Sequence, residues 1–174
     1  MYSKEIKKSM NYLAKQKNVI FIGQSVEYPG TFMSNTLTEV PKRKKIEMPV
    51  AEEMQLGITL GLAIEGYTPV SVIPRWNFML YGMNQLVNHI DKFELMSDSK
   101  INNIIIRTGV GSKKPLNPQH QHIGNFSQEI KKMCKSINVI SLQNSKRVLS
   151  EYKKAFRRKD KKITILVEYG DLYD

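Results

Sequence analysis

At 174 residues, with 41% apolar side chains, the chain can bury one ordinary core but is short for two, so we expect a single domain over residues 1–174. It has no apolar run near the roughly 20 residues that cross a bilayer and no apolar N-terminal targeting region. Its one cysteine, Cys134, excludes an internal disulfide. These features predict a cytosolic protein without a membrane span. The net charge of +11 suits a polyanion, but in the absence of finger, RNP or helix-turn-helix patterns we favour solvated faces or an acidic protein over nucleic acid for the basic runs at 42–45, 113–114, 131–132 and 153–162.

Sequence patterns typical of helices and of strands alternate along the chain. Residues 3–16 carry Ile6 and Met10 at helical spacing among lysines, which predicts an amphipathic surface helix. The apolar run 18–23 predicts a buried strand, and residues 24–45 predict a long loop. The remaining predicted elements are a helix over 51–65, a strand over 69–73, a helix over 77–97, a strand over 101–109, an irregular segment over 109–125, a helix near 127–135, a strand over 138–142, a helix near 145–158 and a strand over 162–168.

The predicted strands are continuous apolar runs rather than alternating ones. Such runs indicate parallel strands that are covered on both faces. Together with the alternation of strands and helices, they predict a doubly wound α/β domain, a mostly parallel sheet with helices on both faces. Ligands in these folds bind beyond the carboxyl ends of the strands, so we expect chemistry in the loops after the strands at 18–23, 69–73 and 101–109.

Several familiar α/β motifs are missing from the sequence. It has no G-x-G-x-x-G after the first strand, no G-x-x-x-x-G-K-[ST] and no G-x-S-x-G, which argues against a dinucleotide, a P-loop nucleotide and a serine hydrolase. The G-x-x-x-G at Gly57 and Gly61 is a weak motif. We predict that it lets the helix over 51–65 approach a neighbouring backbone closely.

Two groups of titratable residues stand out. Glu52 and Glu53 are adjacent carboxylates at the start of an apolar helix, where acids can simply complement the positive end of the helix. His120 and His122 lie two apart in the irregular segment after a strand. They lack a third ligand at an obvious spacing, so a metal site is not expected, and either histidine could be a solvated polar residue.

The stretch EMPVAEEMQLGITLGLAIEGYTPVSVI, followed by RWNFMLYGMNQLVNHIDK, carries a family resemblance. It resembles the pyrimidine-binding domain of transketolase-like thiamine-diphosphate enzymes, and is most similar to the beta subunit of 2-oxo-acid dehydrogenases of the pyruvate dehydrogenase type. That family shows [DE]-x-P-[IV]-[SA]-E, then G-x-x-x-G, then G-x-x-P. The matching residues here are Glu47, Pro49, Val50, Ala51, Glu52, Gly57, Gly61, Gly66 and Pro69.

The resemblance implies a function for the whole chain. It would be the pyrimidine-binding subunit of a split thiamine-diphosphate-dependent enzyme, of transketolase or 2-oxo-acid dehydrogenase or decarboxylase type, acting on a carbon–carbon bond next to a carbonyl. The family's G-D-G followed by Asn is not found in the sequence, and we expect no C-terminal domain of the family's kind. We therefore expect it to be inactive alone and to bind no metal itself. The resemblance implies that a diphosphate-binding alpha-type subunit holds Mg²⁺ and shares the coenzyme. The expected assembly is an α2β2 heterotetramer that acts on a small 2-oxo acid or ketose.

The resemblance also implies roles for individual residues. Glu52, catalytic and cofactor-binding, would hold a proton at N1′ of the aminopyrimidine. Phe78 would stack on that ring, and His122 would be the catalytic histidine on the substrate side, with His120 as the competing assignment. Gln24 stands where the family often has Glu. Two alternatives to an enzyme subunit stay open. The first is a non-catalytic regulatory or binding protein that retains the fold, and the second is a nucleic-acid binder.

Overall fold

A computed structural model describes residues 1–111, 113, 117–160 and 162–173, and within them the chain forms a six-stranded sheet. Every neighbouring pair of strands is parallel, in the order β2-β1-β3-β4-β6-β5. The strands are β1 Val19–Gly23, β2 Lys45–Glu47, β3 Thr68–Ile73, β4 Ile104–Val110, β5 Ile137–Ser141 and β6 Ile163–Tyr169. Lys114 and Lys161 of the basic runs, and part of the predicted irregular segment, lie outside the described residues.

Helices cover both faces of this sheet, which confirms the predicted doubly wound α/β fold. They are α1 Tyr2–Ala14, α2 Glu52–Ile64, α3 Trp76–Met79, α4 Phe93–Met96, α5 Ser127–Met133 and α6 Ser145–Arg157. Buried side chains of α1 and α6 pack in one core, and those of α2 and α5 pack in the other. Successive strand residues point to opposite faces, so Ile105 enters the first core whereas Ile104 and Ile106 enter the second.

Two predicted elements differ from the structure. The predicted loop 24–45 ends in the edge strand β2, whose three residues are too few and too polar to form an apolar run. The predicted helix 77–97 is divided into α3, a 3-10 turn at Leu80–Gly82, a π-helical stretch at Gln85–Ile90, and α4. Within this region Gly82 lies so close to α2 that a side chain there would approach Leu56 Cδ1 to 2.5 Å. Within the described residues, no helix has the length and apolar content needed to cross a membrane.

The prediction for the G-x-x-x-G of α2 is wrong within this chain. A Cβ atom added at Gly61 would meet no described atom within 4 Å, and one added at Gly57 would meet the side chain of Gln85 at 3.9 Å. The two glycines therefore leave an open strip on α2 instead of admitting a neighbouring backbone. Gly66, which follows α2 with a φ of +86°, has the left-handed conformation predicted for a residue after a helix.

Candidate active site

The adjacent acids Glu52 and Glu53 occupy different environments in the first turn of α2. Consecutive helical side chains point about 100° apart, and here one turns inward and the other outward. Glu52 is 4% exposed, and its Oε1 accepts a hydrogen bond of 2.9 Å from the Gln24 side-chain amide. Glu53 is exposed and accepts a 3.2 Å hydrogen bond from the amide of Asn84. The interior acid is thus Glu52, the residue that the resemblance selects.

The loop after β1 brings Gln24 to Glu52. Glu47, at the end of β2, accepts hydrogen bonds from three consecutive backbone N–H groups of this loop, at 2.6 Å from Ser25, 2.8 Å from Val26 and 2.8 Å from Glu27. A carboxylate that accepts several backbone N–H groups fixes a turn strongly. Glu47, which sequence reasoning noted only as part of a motif, therefore holds the turn that presents Gln24.

Glu52 lies at the edge of an open groove of about 740 Å³. Much of its lining is apolar and solvent-exposed, and Val50 and Tyr81 are 81% and 77% exposed. The lining residues are Val50, Ala51, Glu52, Glu53, Met54, Gly57, Ile58, Tyr81 and Gln85. A buried carboxyl group beside an apolar groove can meet the polar edge of a flat ring while the groove covers its face.

Sequence reasoning missed Tyr81 as a groove residue. Its position three residues after Phe78 gives no signal, because Phe78 contacts His122 whereas Tyr81 lines the groove. The predicted long helix over 77–97 likewise does not indicate which side faces α2.

Phe78 and His122 come together at a second place. Their rings lie 4.9 Å apart between centroids and are tilted by 55°. The Nδ1 atom of His122 is buried and has no hydrogen-bond partner among the described residues. His120 is exposed. Phe78 does not line the Glu52 groove, but the turn that follows it contributes Tyr81 to the groove and Gly82 to the contact with α2.

Metal-binding side chains are not clustered in this region. Across the ranges that the structure describes, no three His, Cys, Asp or Glu side chains lie close enough to hold a metal ion. The two candidate titratable groups lie at separate places, Glu52 at the groove and His122 against Phe78. Each is of a type that can hold or move a proton beside an organic ligand.

Comparison with known proteins places these residues in a wider context. A family model described as transketolase, pyrimidine binding domain, matches residues 3–174. The chain is 29% identical over 112 residues to the pyruvate dehydrogenase E1 component subunit beta, mitochondrial, of Drosophila melanogaster, and the alignment covers 62% of this chain and 31% of that protein. It is 27% identical over 112 residues to the pyruvate dehydrogenase E1 component subunit beta of Cyanidium caldarium, covering 62% of this chain and 34% of that one.

A solved structure named split gene transketolase, inactive beta4 tetramer, has the same fold. The superposition gives a TM-score of 0.66 with 14% identity and covers 96% of this chain and 50% of that one. The chain thus spans about a third of the length of the two curated relatives and half of that structural neighbour.

Proposed function

Because the chain belongs to the transketolase pyrimidine-binding domain family, we propose that it binds the aminopyrimidine half of thiamine diphosphate in an enzyme of two kinds of subunit. A partner of alpha type holds the diphosphate and Mg²⁺, in an α2β2 heterotetramer. The substrate is a small 2-oxo acid or a ketose. Support comes from two relatives named as beta subunits and from a neighbour named as the product of a split gene.

The observation that carries this proposal is the burial of Glu52 at the edge of an apolar groove. The residues present fit an aminopyrimidine, because such a ring needs a carboxyl group at its polar edge and apolar cover on its faces. Glu52 holds a proton at N1′ of the ring, and the Gln24 amide fixes the other side of the carboxyl group through Oε1. When bound, the coenzyme would supply a carbon nucleophile and an electron sink for chemistry at a carbon–carbon bond next to a carbonyl.

Phe78 and His122 act next to this ring in the proposal. Phe78 provides an aromatic face that keeps water from the coenzyme. His122 donates a hydrogen bond to the substrate or moves a proton during addition to the carbonyl, tasks that suit an imidazole near neutral pH. We assign this role to His122 rather than to His120 because the His122 ring contacts Phe78 and its Nδ1 has no partner among the described residues.

A non-catalytic protein that retains the fold is the second candidate. Two side chains favour it, Gln24, where the resembling enzymes often carry an acid, and Met54, where they usually carry a small residue. Gln24 contacts Glu52, and Met54 lines the groove. Both changes thus fall on the site itself.

Reconstitution with the diphosphate-binding subunit tests the proposal. The chain is mixed with a separately encoded subunit of the same organism that carries G-D-G and a downstream Asn, together with thiamine diphosphate and Mg²⁺, and turnover of 2-oxo acids and ketose phosphates is measured. Glu52→Gln should lower kcat by about 10²–10⁴-fold, as expected for loss of a positioned acid–base group. Glu53→Gln, the matched control one residue away, should keep nearly full activity.

Assembly is followed in parallel by sedimentation, and coenzyme binding by calorimetry. Both variants should form the same complex as the unaltered chain. Full activity of Glu52→Gln would remove Glu52 from the mechanism. A complex that binds the coenzyme but turns over none of these substrates would support the non-catalytic candidate.

A further inference from the structure

Four consecutive residues, Arg75 to Phe78, each contact the segment that carries His122. We call them the RWNF segment. Arg75 donates a hydrogen bond to the carbonyl of His122, and Asn77 Oδ1 accepts one from the N–H of Gly124 at 3.1 Å. Trp76 packs edge-on against Phe126 at 6.5 Å, and Phe78 contacts the His122 ring at 4.9 Å. Through these contacts the RWNF segment, which follows β3, holds residues 122–126 in place.

Arg75 joins two places that are distant in sequence. Its Nη1 atom donates both to the Gly111 carbonyl, at 2.9 Å, and to the His122 carbonyl, at 3.0 Å. Gly111 directly follows β4, so one guanidinium nitrogen ties the strand end to the segment that returns with His122. Next to it, Asp171 accepts a 2.9 Å hydrogen bond from the N–H of Lys113.

His122 needs such a restraint. Its φ is +56°, in the left-handed region, which is unfavourable for a residue with a Cβ atom. Its Nδ1 is buried without a partner among the described residues, which is a second unfavourable condition. Unfavourable local conformations persist only where the surrounding structure imposes them. The contact with Arg75 is made by the carbonyl of His122 itself.

We propose that Arg75 is a positioning residue, which clamps the backbone of His122 so that the imidazole stays against Phe78. That His122 meets a substrate rests on the function proposed above. The positioning of the His122 ring by Arg75 does not depend on that function. It can be tested on the purified chain without coenzyme or partner.

The test uses the ring signals of the three histidines in nuclear magnetic resonance spectra. The aromatic ring of Phe78 should change the chemical shifts of the His122 ring signals. We call this change the displacement, and its loss in Phe78→Leu identifies it. Arg75→Met, which keeps the aliphatic stem and removes the donors, should abolish most of the displacement and bring His122 close to the exposed His120. Arg75→Lys, whose ammonium group can serve two carbonyl acceptors, should restore a large part of it.

Arg43→Met is the matched control, because it removes the same charge from an exposed residue. It should leave the His122 signals unchanged, and thermal unfolding should show that all variants are folded. An unchanged His122 displacement in Arg75→Met would overturn the proposal. If Arg75→Met fails to fold, the decision passes to Arg75→Lys, which lacks the fixed geometry of the guanidinium, and a displacement as large as in the unaltered chain would equally overturn the proposal.

Activity of the reconstituted enzyme gives a separate readout. Misplacing a reacting group by about 1 Å can cost up to about a hundredfold in rate, so Arg75→Met should lower kcat with little change in coenzyme affinity. An inactive wild-type pair would count against the proposed function and leave the resonance result on Arg75 intact. An active pair in which Arg75→Met loses the displacement but keeps full kcat would overturn the catalytic importance of the clamp.

Discussion

The contrast between Glu52 and Glu53 shows how position in a helical turn decides what a carboxyl group can do. Both acids lie where the positive end of α2 favours negative charge. Only one of them is removed from water, and it receives a hydrogen bond from Gln24 rather than from an exposed side chain. A buried acid with one side held by an amide can present its other side to a ligand edge, whereas Glu53 contacts solvent and Asn84.

The single thiol gives a prediction at the same scale. Cys134 is buried beyond α5, and burial, with the negative charge of Asp91 as a further cause, raises the pKa of its thiol from 9.0 to about 11. Because the thiolate is the reactive form, Cys134 in the folded chain should not react with Ellman's reagent at pH 8, and should react once urea unfolds the chain. Rapid reaction of the native protein would contradict the burial.

The same shift in pKa makes stability depend on alkaline pH. Between pH 9.0 and about 11 the thiol keeps its proton in the folded chain but loses it in the unfolded chain. Its contribution is therefore complete below pH 9.0 and is lost as the pH rises toward 11. Cys134→Ala, compared with the unaltered chain in urea titrations across this range, should lose stability less steeply with pH.

At the scale of elements, two glycines predict opposite responses to the same substitution. Gly61→Ala should stabilise the isolated chain by about 0.5–1 kcal/mol, because alanine is the better helix former and the added methyl meets no described atom within 4 Å. Gly82→Ala should destabilise it by about 1–3 kcal/mol, because its methyl would lie 2.5 Å from Leu56 Cδ1 and 3.2 Å from the Glu52 carbonyl. Urea unfolding measures both, and equal shifts of the same sign would contradict the packing described.

Sequence periodicity predicted the elements that are long or fully buried and failed where tertiary contacts interrupt a pattern. The apolar runs of β3 and β6 predicted strands because both faces of each are buried. The region 77–97 has a helical stripe throughout, yet the structure divides it into α3, a 3-10 turn, a π-helical stretch and α4. The close approach of Gly82 to Leu56 in this region has no signal in the local sequence, because Leu56 lies on α2.

The residues of the candidate site also differ in whether the sequence could predict them. The resemblance selected Glu52, Phe78 and His122, and the structure adds the burial of the first and the ring contact between the other two. The contribution of Arg75 could not be predicted, because its acceptors are main-chain carbonyls, 36 and 47 positions away. Every residue has a main-chain carbonyl, so the residue type gives no information about which carbonyl accepts the hydrogen bond.

At the scale of the whole molecule, a charged cluster lies inside the core between the sheet and α6. Arg107 on β4 makes two hydrogen bonds to Glu168 on β6, with Nε at 2.8 Å and Nη2 at 3.0 Å, and both side chains are fully buried. Tyr152 and Tyr173 also donate to Glu168. Burial and the charge of Glu168 raise the pKa of both tyrosines, so their hydroxyl groups remain donors. The cluster thus joins two strands, α6 and the residues after β6.

The ionisation of Arg107 is maintained by its partner. Burial, the largest single influence, would lower the pKa of its guanidinium, but the charge of Glu168, the neighbouring Tyr152 and Tyr173 and the hydrogen bond to Glu168 together raise that pKa well above the ordinary value. The two residues are 61 positions apart, and only the pairing of β4 with β6 brings them together. Sequence analysis predicted both strands as apolar runs and had no means of pairing the two charges within them.

This pairing predicts unequal effects of single and double substitutions. Arg107→Met leaves Glu168 buried without its cation and should cost about 3–5 kcal/mol in the free energy of unfolding. Adding Glu168→Gln removes the uncompensated charge while keeping an acceptor for the tyrosine hydroxyls, and should restore part of that loss. Urea unfolding of both single variants and the double variant forms a thermodynamic cycle. Additive costs would mean that the two charges do not depend on each other, which would contradict a buried pair in which each compensates the other.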